Sequence, residues 1–441
     1  MHFSWFGSFY CYQIITAWQQ SAKDNITGEN HEQFSKLDQL YAISGYLSTI
    51  IALFGGYLID KIGLWTSFLI FSIIWLIGQI IFTLATFIPG HGYSIFVLAL
   101  IGRLIFGIGK NTLFICRQVA ISKWFIGQEI GLAFGICISM TNFANVLNIY
   151  FSRLFDEDDK VKVLNAVGIV FWICSTISSY IFIRFEKHSN KLAAANFNSE
   201  DDLVERFRCS SIRKLDKRFW VICLIILCLY ITKYNFLRIW NTLYMTKFEY
   251  KNTNERDYLI SLVNILPVIF WPMFGFLMDK KGHHLTLLIV SSVINTISYV
   301  LFSFLPGGRH AYAIIPLILF GISQGTYFVC LYTFVPLVVV PSAIGTGFGI
   351  ASACEFAGIS ISPLLLSIFI RGNEFKYGAE GLFLVFIIFS SFGVLLSILL
   401  FIINFLHVKN QRPAIDRYRS YNERLKTYCQ RAVENNKTDS E

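Results

Sequence analysis

The sequence predicts an all-α polytopic membrane protein whose twelve transmembrane helices form two pseudo-symmetric six-helix bundles. Three observations lead to this fold class. The 441-residue chain is 55% hydrophobic and only 15% charged, which suits lipid better than water as the solvent. Apolar runs of about 20 residues recur along it, the length that crosses roughly 30 Å of hydrocarbon as a helix. A short motif, FGGYLIDKIG at residues 54–63, returns as FGFLMDKKG at residues 274–282.

The repeated motif ends the second apolar run of each half of the chain. Its glycines allow two helices to approach closely, its aspartate falls at the membrane surface, and its lysine lies just outside. The matching residues are Gly56 and Gly275, Asp60 and Asp279, Lys61 and Lys280, and Gly63 and Gly282. The chain is therefore interpreted as two tandem membrane halves.

Six spans are predicted in the N-terminal bundle, residues 1–183. The first begins almost at Met1, so we expect no cleavable signal peptide ahead of it. Asn25 opens an Asn-Ile-Thr glycosylation sequon in the loop that follows. A basic turn at residues 122–129 precedes the fifth span, and an acidic loop follows it. The predicted spans are α1 (1–20), α2 (37–60), α3 (65–87), α4 (93–118), α5 (130–154) and α6 (163–183).

Six more spans are predicted in the C-terminal bundle, residues 218–406. The polar segment at 184–217 is too hydrophilic to cross lipid and forms a cytosolic linker between the bundles. The Lys/Arg-rich residues 407–441 form a cytosolic tail. The predicted spans are α7 (218–245), α8 (257–278), α9 (285–304), α10 (311–338), α11 (345–370) and α12 (381–405).

The formal charge of +9 indicates membrane topology rather than nucleic-acid binding, because most of the excess lies in loops at span ends. The positive-inside rule then places the N-terminus, the linker and the tail in the cytosol. The ten cysteines show no CxxC spacing, and HExxH is absent. We therefore expect no metal, no cofactor and no enzymatic activity.

Twelve spans with a motif at corresponding positions of the two halves favour a transporter in which two related bundles rock around a central site. A channel would not require this symmetry. The two aspartates have a gating role available, because a carboxylate is stabilised at the positive N-terminus of a helix. We expect Asp60 to meet the start of α11 near Ser342, and Asp279 the start of α5 near Gln128. The alternative is a solvated acid that offsets the neighbouring Lys61 or Lys280.

Ionisable residues inside the membrane are costly and are candidates for function. Arg103, Lys110 and Arg117 follow one another at a seven-residue spacing, which places them on one face of α4. Lys110, near mid-helix, is the strongest candidate. Arg103 has a structural alternative within its helix motif, and Arg117 is expected to extend its charge toward the cytosolic surface.

Lys233 and Arg238 on α7 and Glu355 on α11 lie at comparable depth. Together with Lys110 they predict a mostly basic cavity that captures a carboxylate or another anionic group. The alternative is a Lys or Arg paired with Glu355 for structure alone. Tyr327 and Tyr332 on α10 could line the path, although a lipid-facing or core-facing position is favoured for them.

Uncharged polar residues complete the predicted site. They could bind a peptide bond, or equally form hydrogen bonds between helices. The set comprises Tyr10, Gln13, Asn111, Asn142 and Asn145.

These motifs resemble the major facilitator superfamily. The loop between the second and third helices of that family carries a G-x-L-x-D-[RK]-x-G pattern, which both halves approach here, and GRLIFGIG at residues 102–109 is similar to its helix 4 motif. Within it, FGSFYCY at 6–12, the segment at 122–140 and IGTGFG at 344–349 resemble a group of lysosomal dipeptide uniporters. The resemblance implies export of dipeptides to the cytosol from an endolysosomal membrane, with the plasma membrane as the alternative location. It also implies an accessory glycosylated lysosomal membrane protein as a partner.

The chain departs from that group at three positions. The family tends to place an acid, an acid and an arginine where this sequence has Gln13, Asn111 and Asn142. Those family positions look like the places that hold the charged ends of a zwitterion. Two other functions therefore stay open: a carrier of organic anions that uses the basic cavity, and a non-transporting receptor or scaffold that uses the linker and the tail.

Overall fold

The computed structural model describes residues 31–87, 93–125, 129–154, 167–171, 173–178, 180–181, 184, 215–250, 253–308, 311–371, 374–375 and 378–410, and this part is almost entirely helical. The predicted α1, most of the linker and nearly all of the tail lie outside the described residues. Helical residues 167–171 and 173–178 represent α6. The other helices are α2 (His31–Ile62), α3 (Leu64–Phe87), α4 (Tyr93–Phe125), α5 (Ile130–Leu154), α7 (Lys217–Thr246), α8 (Thr253–Lys281), α9 (His284–Phe304), α10 (Ile315–Val338), α11 (Ile344–Phe369) and α12 (Gly378–Asn410).

Within the described residues, eight helices are long and apolar enough to cross a membrane. Short 3-10 turns at Ala311–Ile314 and Pro341–Ala343 lead into α10 and α11. After α11, Ile370–Arg371 pairs antiparallel with Glu374–Phe375 in a minimal hairpin, a small departure from the all-α prediction. The helical fold class is confirmed.

The prediction that α4 ends at residue 118 is wrong, because the helix continues to Phe125. Arg117 is only 1% exposed and Ser122 is fully buried. Both polar side chains are buried in the protein. Their polarity therefore does not mark the end of the helix at the membrane surface. The expectation that Arg117 reaches toward the surface is wrong for the same reason.

The helices α2 and α8 end in the same way. Gly63 and Gly282 follow them with φ values of 96° and 67°, in the left-handed region that glycine adopts without steric cost. Their amides donate to the carbonyl oxygens of Ile59 at 3.0 Å and Met278 at 2.8 Å. The repeated motif is thus repeated in backbone geometry as well as in sequence.

Helix packing joins the two halves of the chain along two seams. The helix α2 packs along α11, and α5 packs along α8, while α3 with α4 and α9 with α10 and α12 pack within one half. The largest buried apolar cluster draws on helices of both halves, including α4, α5, α10 and α11. The assignment of two bundles separated by a linker stays a prediction.

A second buried cluster lies within the C-terminal half and is rich in aromatic rings. The ring of Phe236 on α7 lies 4.8 Å from Phe302 and 4.5 Å from Phe320, measured between centroids. Beside it, the Asn295 side chain accepts a hydrogen bond from Gln324 at 3.0 Å and donates to Ser390 at 3.3 Å. These bonds tie α9 to α10 and α12 and satisfy polar groups that lipid could not.

Candidate functional site

The carboxylate of Asp60 lies at the N-terminus of α11. It accepts hydrogen bonds from the backbone amides of Gly345 at 2.8 Å and Thr346 at 2.6 Å, and a third from the Thr346 hydroxyl at 2.6 Å. The first amides of a helix have no partner within it and carry the positive end of its dipole. The structure therefore places Asp60 three residues beyond the expected Ser342, at the first turn of the same helix.

Asp279 makes the matching contact with α5. Its carboxylate accepts hydrogen bonds from the amides of Gly131 at 2.9 Å and Leu132 at 2.7 Å. The sequence predicts this contact near Gln128, which lies outside the described residues. Leu132 offers no hydroxyl, so this aspartate receives two bonds where Asp60 receives three.

Glycines bring the backbones together beside each aspartate. A Cβ atom built on Gly56 would lie 2.4 Å from the Gly345 carbonyl oxygen, and one on Gly275 would lie 2.2 Å from that of Gly131. No real Cβ tolerates such distances. The close approach predicted for the motif glycines is therefore the backbone contact of α2 with α11 and of α8 with α5.

The two aspartates lie on the same face of the molecule. Lys123, at the end of α4, is close enough to Asp60 to affect it electrostatically, and Glu129 acts on Asp279 in the same way. Only five residues separate Lys123 from Glu129 along the chain. Lys123 and Glu129, which are close in sequence, thus lie near the two contacts, on the side that the charge distribution predicts to be cytosolic. We call these two contacts the α2–α11 latch and the α5–α8 latch.

The motif lysines are not part of the latch hydrogen bonds described above. Lys61 is exposed, with its ammonium 5.7 Å from the ring centroid of Tyr57. Lys280 is also exposed, 4.4 Å from that of Phe276. Each ring belongs to the same helix as its lysine. Within the described residues each lysine thus contacts a ring of its own helix, and the part of these lysines in gating stays a prediction.

A cluster of ionisable side chains lies between the two halves. Glu355 on α11 is 7% exposed and Lys110 on α4 is 9% exposed. Lys110 from one half and Lys233 from the other are the cations that act on the Glu355 carboxylate. The Tyr332 hydroxyl donates a hydrogen bond to that carboxylate. We call these four residues, with Tyr230, the central cluster.

Tyrosines line the central cluster. Tyr230, one turn before Lys233 on α7, is buried and close enough to Glu355 to act on it electrostatically. The Lys233 ammonium lies 5.5 Å from the ring centroid of Tyr230 and 5.7 Å from that of Phe328, a cation–π arrangement. Opposite charges and hydroxyl donors thus meet in one buried place, where a charged ligand would find partners for both signs.

A layer of aromatic rings extends from the central cluster toward the latches. Tyr332 stacks on Phe328 at 4.4 Å and lies 6.5 Å from Phe348 on α11, whose ring is 6.2 Å from Phe134 on α5. Phe348 and Phe134 lie one turn into the helices that the latch aspartates cap. The rings are buried, so they pack the fold tightly between the central cluster and this face.

Two predicted site residues make contacts within the N-terminal half. The Arg103 guanidinium lies 3.7 Å from the ring centroid of Phe82 on α3, which fits the structural alternative. Asn111 donates to the hydroxyl of Ser48 on α2 at 2.6 Å and is 2% exposed, so it forms a hydrogen bond between helices. Asn142 on α5 is half-buried.

The remaining predicted residues cannot be placed. Tyr10, Gln13 and the sequon residue Asn25 lie outside the described residues, and so do the side chains of Asn145 and Arg238, whose backbones belong to α5 and α7.

The sequence did not predict the tyrosines of the central cluster. A core-facing or lipid-facing position was favoured for Tyr332, and Tyr230 was not a candidate. The signal available was spacing, because Tyr230 lies three residues before Lys233 and therefore on the same helix face. Among 21 tyrosines and 43 phenylalanines, that signal alone does not single out a residue.

The fold and these contacts define a class: a polytopic helical protein with the architecture of a secondary transporter. The chain belongs to the Major Facilitator Superfamily, whose family model matches residues 8–363.

Two relatives are similar along most of the chain. The lysosomal dipeptide transporter MFSD1 of Homo sapiens is 24% identical over 421 residues, covering 92% of this chain and 85% of that protein. The lysosomal dipeptide transporter MFSD1 of Danio rerio is 24% identical over 379 residues, covering 82% of this chain and 78% of that protein.

Solved structures share the fold at low sequence identity. The transporter FucP in its outward conformation matches with a TM-score of 0.69 at 10% identity, over 90% of this chain and 97% of its own. The human organic anion transporter MFSD10 matches with a TM-score of 0.62 at 12% identity, over 90% of this chain and 97% of its own. The chain is a multi-pass membrane protein with the major facilitator fold.

Proposed function

We propose that this chain is an alternating-access uniporter that moves dipeptides from the lysosome to the cytosol. Two findings support the proposal. Relatives named as lysosomal dipeptide transporters match the chain over nearly its whole length. The central cluster places Lys110, Lys233 and Glu355 together between the two halves, and this is the observation that carries the proposal.

A free dipeptide is chemically suited to the central cluster. Its carboxylate would bind the lysine ammonium groups through charge-assisted hydrogen bonds, and its ammonium group would bind Glu355. The tyrosine hydroxyls can donate to or accept from the peptide bond. The family's charged positions, which look suited to bind the two charged ends of a zwitterion, are replaced here by Gln13, Asn111 and Asn142. In this chain the central cluster would bind those charged ends instead.

Uniport is the mode that the distribution of protonatable groups favours. Proton coupling normally uses a relay of carboxylates or histidines along the path. In the described helices, Glu355 is the one acidic side chain distant from the helix ends. We therefore propose facilitated diffusion or exchange.

The latches supply the gate of the proposed cycle. When the two halves meet at the α2–α11 and α5–α8 latches, the aspartates bind helix N-termini across the seam and the aromatic layer closes the cytosolic side. Release of substrate to the cytosol requires these bonds to break together. Each hydrogen bond to a charged acceptor contributes about 1.5–3 kcal/mol, so the set is strong enough to hold one state and weak enough to exchange.

The lysosomal address and the partners are part of the proposal. Relatives named as lysosomal transporters support an endolysosomal membrane over the plasma membrane. The proposed partners are the lipid bilayer, a small-molecule substrate and an accessory glycosylated lysosomal membrane protein. Asn25 is the proposed glycosylation site. Co-purification of the chain from isolated lysosomes would test the address and the partner together.

A carrier of organic anions is the second candidate. The central cluster contains two cationic side chains, Lys110 and Lys233, and one carboxylate, that of Glu355. Such an excess would also suit a dicarboxylate.

Uptake into proteoliposomes separates the two candidates. The purified full chain is reconstituted, and uptake of a labelled dipeptide is compared with that of a labelled dicarboxylate. Saturable uptake of the dipeptide, abolished in Lys110→Ala, supports the proposal. Uptake of the dicarboxylate alone supports the second candidate, and failure of both compounds contradicts both.

A further inference from the structure

The two latches are repeated in sequence on both of their sides. Besides the aspartate motif, the helix starts that the aspartates cap also match: IGLAFGI at residues 130–136 of α5 corresponds to IGTGFGI at residues 344–350 of α11. Each latch is therefore one of two equivalent copies, as expected for a fold built from two related halves. A side chain that is present in only one copy marks a difference between the latches.

Trp271 on α8 is such a side chain, because the equivalent residue on α2 is Ala52. Each of them precedes the latch aspartate of its helix by eight residues. A Cβ built on Gly135 would lie 2.5 Å from the carbonyl oxygen of Trp271. A Cβ built on Gly349 would lie 2.8 Å from that of Ala52. The two backbones thus make the same contact with the facing helix, and only α8 adds an indole ring there.

The Trp271 indole packs against α10. A Cβ built on Gly325 would lie 2.1 Å from the indole Cδ1 atom, so a glycine is needed to admit the ring. Trp271 is 3% exposed, and its ring stacks on Phe328 with the centroids 5.7 Å apart and the planes at 16°. Phe328 in turn stacks on Tyr332 of the central cluster at 4.4 Å. Contiguous aromatic contacts therefore run from the central cluster to the α5–α8 seam.

The α5–α8 latch depends on a side-chain connection in a way that the α2–α11 latch does not. The five residues of the central cluster belong to α4, α7, α10 and α11, so neither α5 nor α8 contributes one of them. The helix α11, by contrast, carries both Glu355 and the amides that bind Asp60. A change at the central cluster can reach the α2–α11 latch along one helix, but it must cross between side chains to reach the α5–α8 latch.

The backbone of α8 is weakened beside the indole. The helix contains two prolines, Pro267 and Pro272. Pro272 follows Trp271 directly and has no amide hydrogen for the carbonyl oxygen four residues earlier. The equivalent helix α2, His31–Ile62, contains no proline. Helices bend most readily where such a bond is missing, so α8 can bend beside the indole and tilt the segment that carries Asp279.

We propose that Trp271 is a positioning residue that couples substrate occupancy of the central cluster to the α5–α8 latch. The inference rests on the proposed function, because it requires a substrate bound at the central cluster. Binding that shifts the rings of Tyr332 and Phe328 moves the indole, and the indole moves the α8 segment that carries Asp279. The α2–α11 latch, with Ala52 at the equivalent position, does not use this route.

Hydrogen–deuterium exchange of the purified full chain, with and without saturating alanyl-alanine, tests the coupling. In the wild type we expect the dipeptide to change exchange in residues 130–136 and in residues 344–350. In Trp271→Leu the change in residues 130–136 should fall by at least about threefold, within the range for residues that transmit coupling, and by more than the change in residues 344–350. The Kd for alanyl-alanine should stay within about threefold, because the indole is not part of the central cluster, while the rate of uptake falls.

Three variants serve as comparisons. Trp271→Phe keeps a ring that can stack on Phe328 and should restore most of the response in residues 130–136. Trp220→Leu makes the same change at an exposed tryptophan of α7 and should behave as the wild type. Phe348→Leu interrupts the other row of rings that reaches α5, through Phe134 at 6.2 Å, and should reduce the response less than Trp271→Leu does.

Three results would overturn the inference: an unchanged response in residues 130–136 of Trp271→Leu, an equal loss in both segments of that variant, or a loss in Phe348→Leu alone. If Trp271→Leu does not fold, Gly325→Ala takes its place, because the added Cβ displaces the indole, and the same results are decisive. Misfolding of both variants would show that the ring only supports the fold, and it too would overturn the inference.

Failure of the inference differs from failure of the proposed function. A wild type that takes up alanyl-alanine, but whose latch response does not depend on Trp271, is a dipeptide carrier without this coupling. A wild type that neither binds nor takes up the dipeptide contradicts the proposed function. The exchange measurement is then made with the dicarboxylate of the second candidate, and if neither compound binds, the inference fails with both candidates.

Discussion

The carboxylate of Asp60 accepts two hydrogen bonds from Thr346, one from the backbone amide and one from the hydroxyl, both at 2.6 Å. Its counterpart Asp279 meets Leu132, which can donate only its amide. The two latches have the same backbone geometry and differ by one side-chain donor. This difference makes their contributions separable by experiment.

The first prediction concerns amide exchange at the latches. Asp60→Asn should raise hydrogen–deuterium exchange in residues 344–350, because the amides of Gly345 and Thr346 lose a charged acceptor. Asp279→Asn should raise exchange in residues 130–136 instead. The expected weakening is about 1.5–3 kcal/mol per lost charge-assisted bond, and it should be larger for Asp60. Mass spectrometry of both segments in each variant provides the measurement.

Residues 130–136 are the internal control for Asp60→Asn, and residues 344–350 are the internal control for Asp279→Asn. Lys281→Gln, an exposed change beside the α5–α8 latch, is the control for surface charge. Unchanged exchange in residues 344–350 of Asp60→Asn would show that the carboxylate does not hold the helix start.

The second prediction concerns the close backbone contacts. Gly56→Ala and Gly275→Ala each place a Cβ less than 2.5 Å from a carbonyl oxygen of the facing helix, at 2.4 Å and 2.2 Å. Overpacking of this kind costs about 1–3 kcal/mol. We expect both variants to lower the Tm of the purified protein and to slow transport.

Gly107→Ala is the matched control, since a Cβ there meets nothing within 4 Å. It should leave the Tm unchanged or raise it, because alanine is the better helix former. Equal loss of stability in all three variants would mean that helix propensity, and not the contact between halves, determines the effect.

The third prediction concerns the Tyr332 hydroxyl. Tyr332→Phe removes the donor to Glu355 and keeps the ring that stacks on Phe328 at 4.4 Å. We expect KM for the dipeptide to rise by roughly tenfold, the effect of one hydrogen bond to a charged group, with little change in Tm. Initial uptake rates at several substrate concentrations provide the measurement.

Tyr327→Phe is the control for the same chemical change on the same helix. Tyr327 is buried, and its hydroxyl lies beside Gly393 on α12 instead of in the central cluster. It should lower the Tm and leave KM unchanged. A reversed pattern, with KM altered only by Tyr327→Phe, would contradict the placement of the site.

The fourth prediction concerns Asn111, which the sequence analysis offered as a ligand for the substrate. Its hydrogen bond to Ser48 indicates a structural role. Asn111→Ala and Ser48→Ala should each destabilise the protein by about 0.6–1.7 kcal/mol, and the double variant should lose no more than either single variant, because all three lack the same hydrogen bond. Additive losses in the thermodynamic cycle, or a changed substrate preference in Asn111→Ala alone, would restore its assignment to the site.

The helices and the motif geometry could be predicted from the sequence because each rests on a local or repeated signal. Apolar length predicts the spans, and the match of Asp60 with Asp279 predicts two equivalent positions in space. The partner helices also followed, since a helix N-terminus is the site that a buried carboxylate prefers. The residues that donate, Gly345 and Gly131, depend on the helix register and could be located only to within a turn.

The central cluster could be predicted only in part. Lys110, Lys233 and Glu355 were singled out because a charge inside a span is costly. The tyrosines were not, since a hydroxyl on an aromatic ring is compatible with core, lipid and site positions alike. Arg103 and Arg117 show the opposite failure: their spacing places them on the face of Lys110, yet Arg103 packs against Phe82 and Arg117 is buried in the protein.

Counterflow in proteoliposomes tests the central claim most directly, because it reports a substrate that crosses the membrane by binding alternately on its two sides. Vesicles loaded with unlabelled alanyl-alanine receive labelled alanyl-alanine outside, and the label inside is followed over time. We expect transient accumulation for the wild type and none for Lys110→Ala or Lys233→Ala. Accumulation in either lysine variant equal to the wild type, or no accumulation in the wild type, would contradict a carrier whose halves share one charged site.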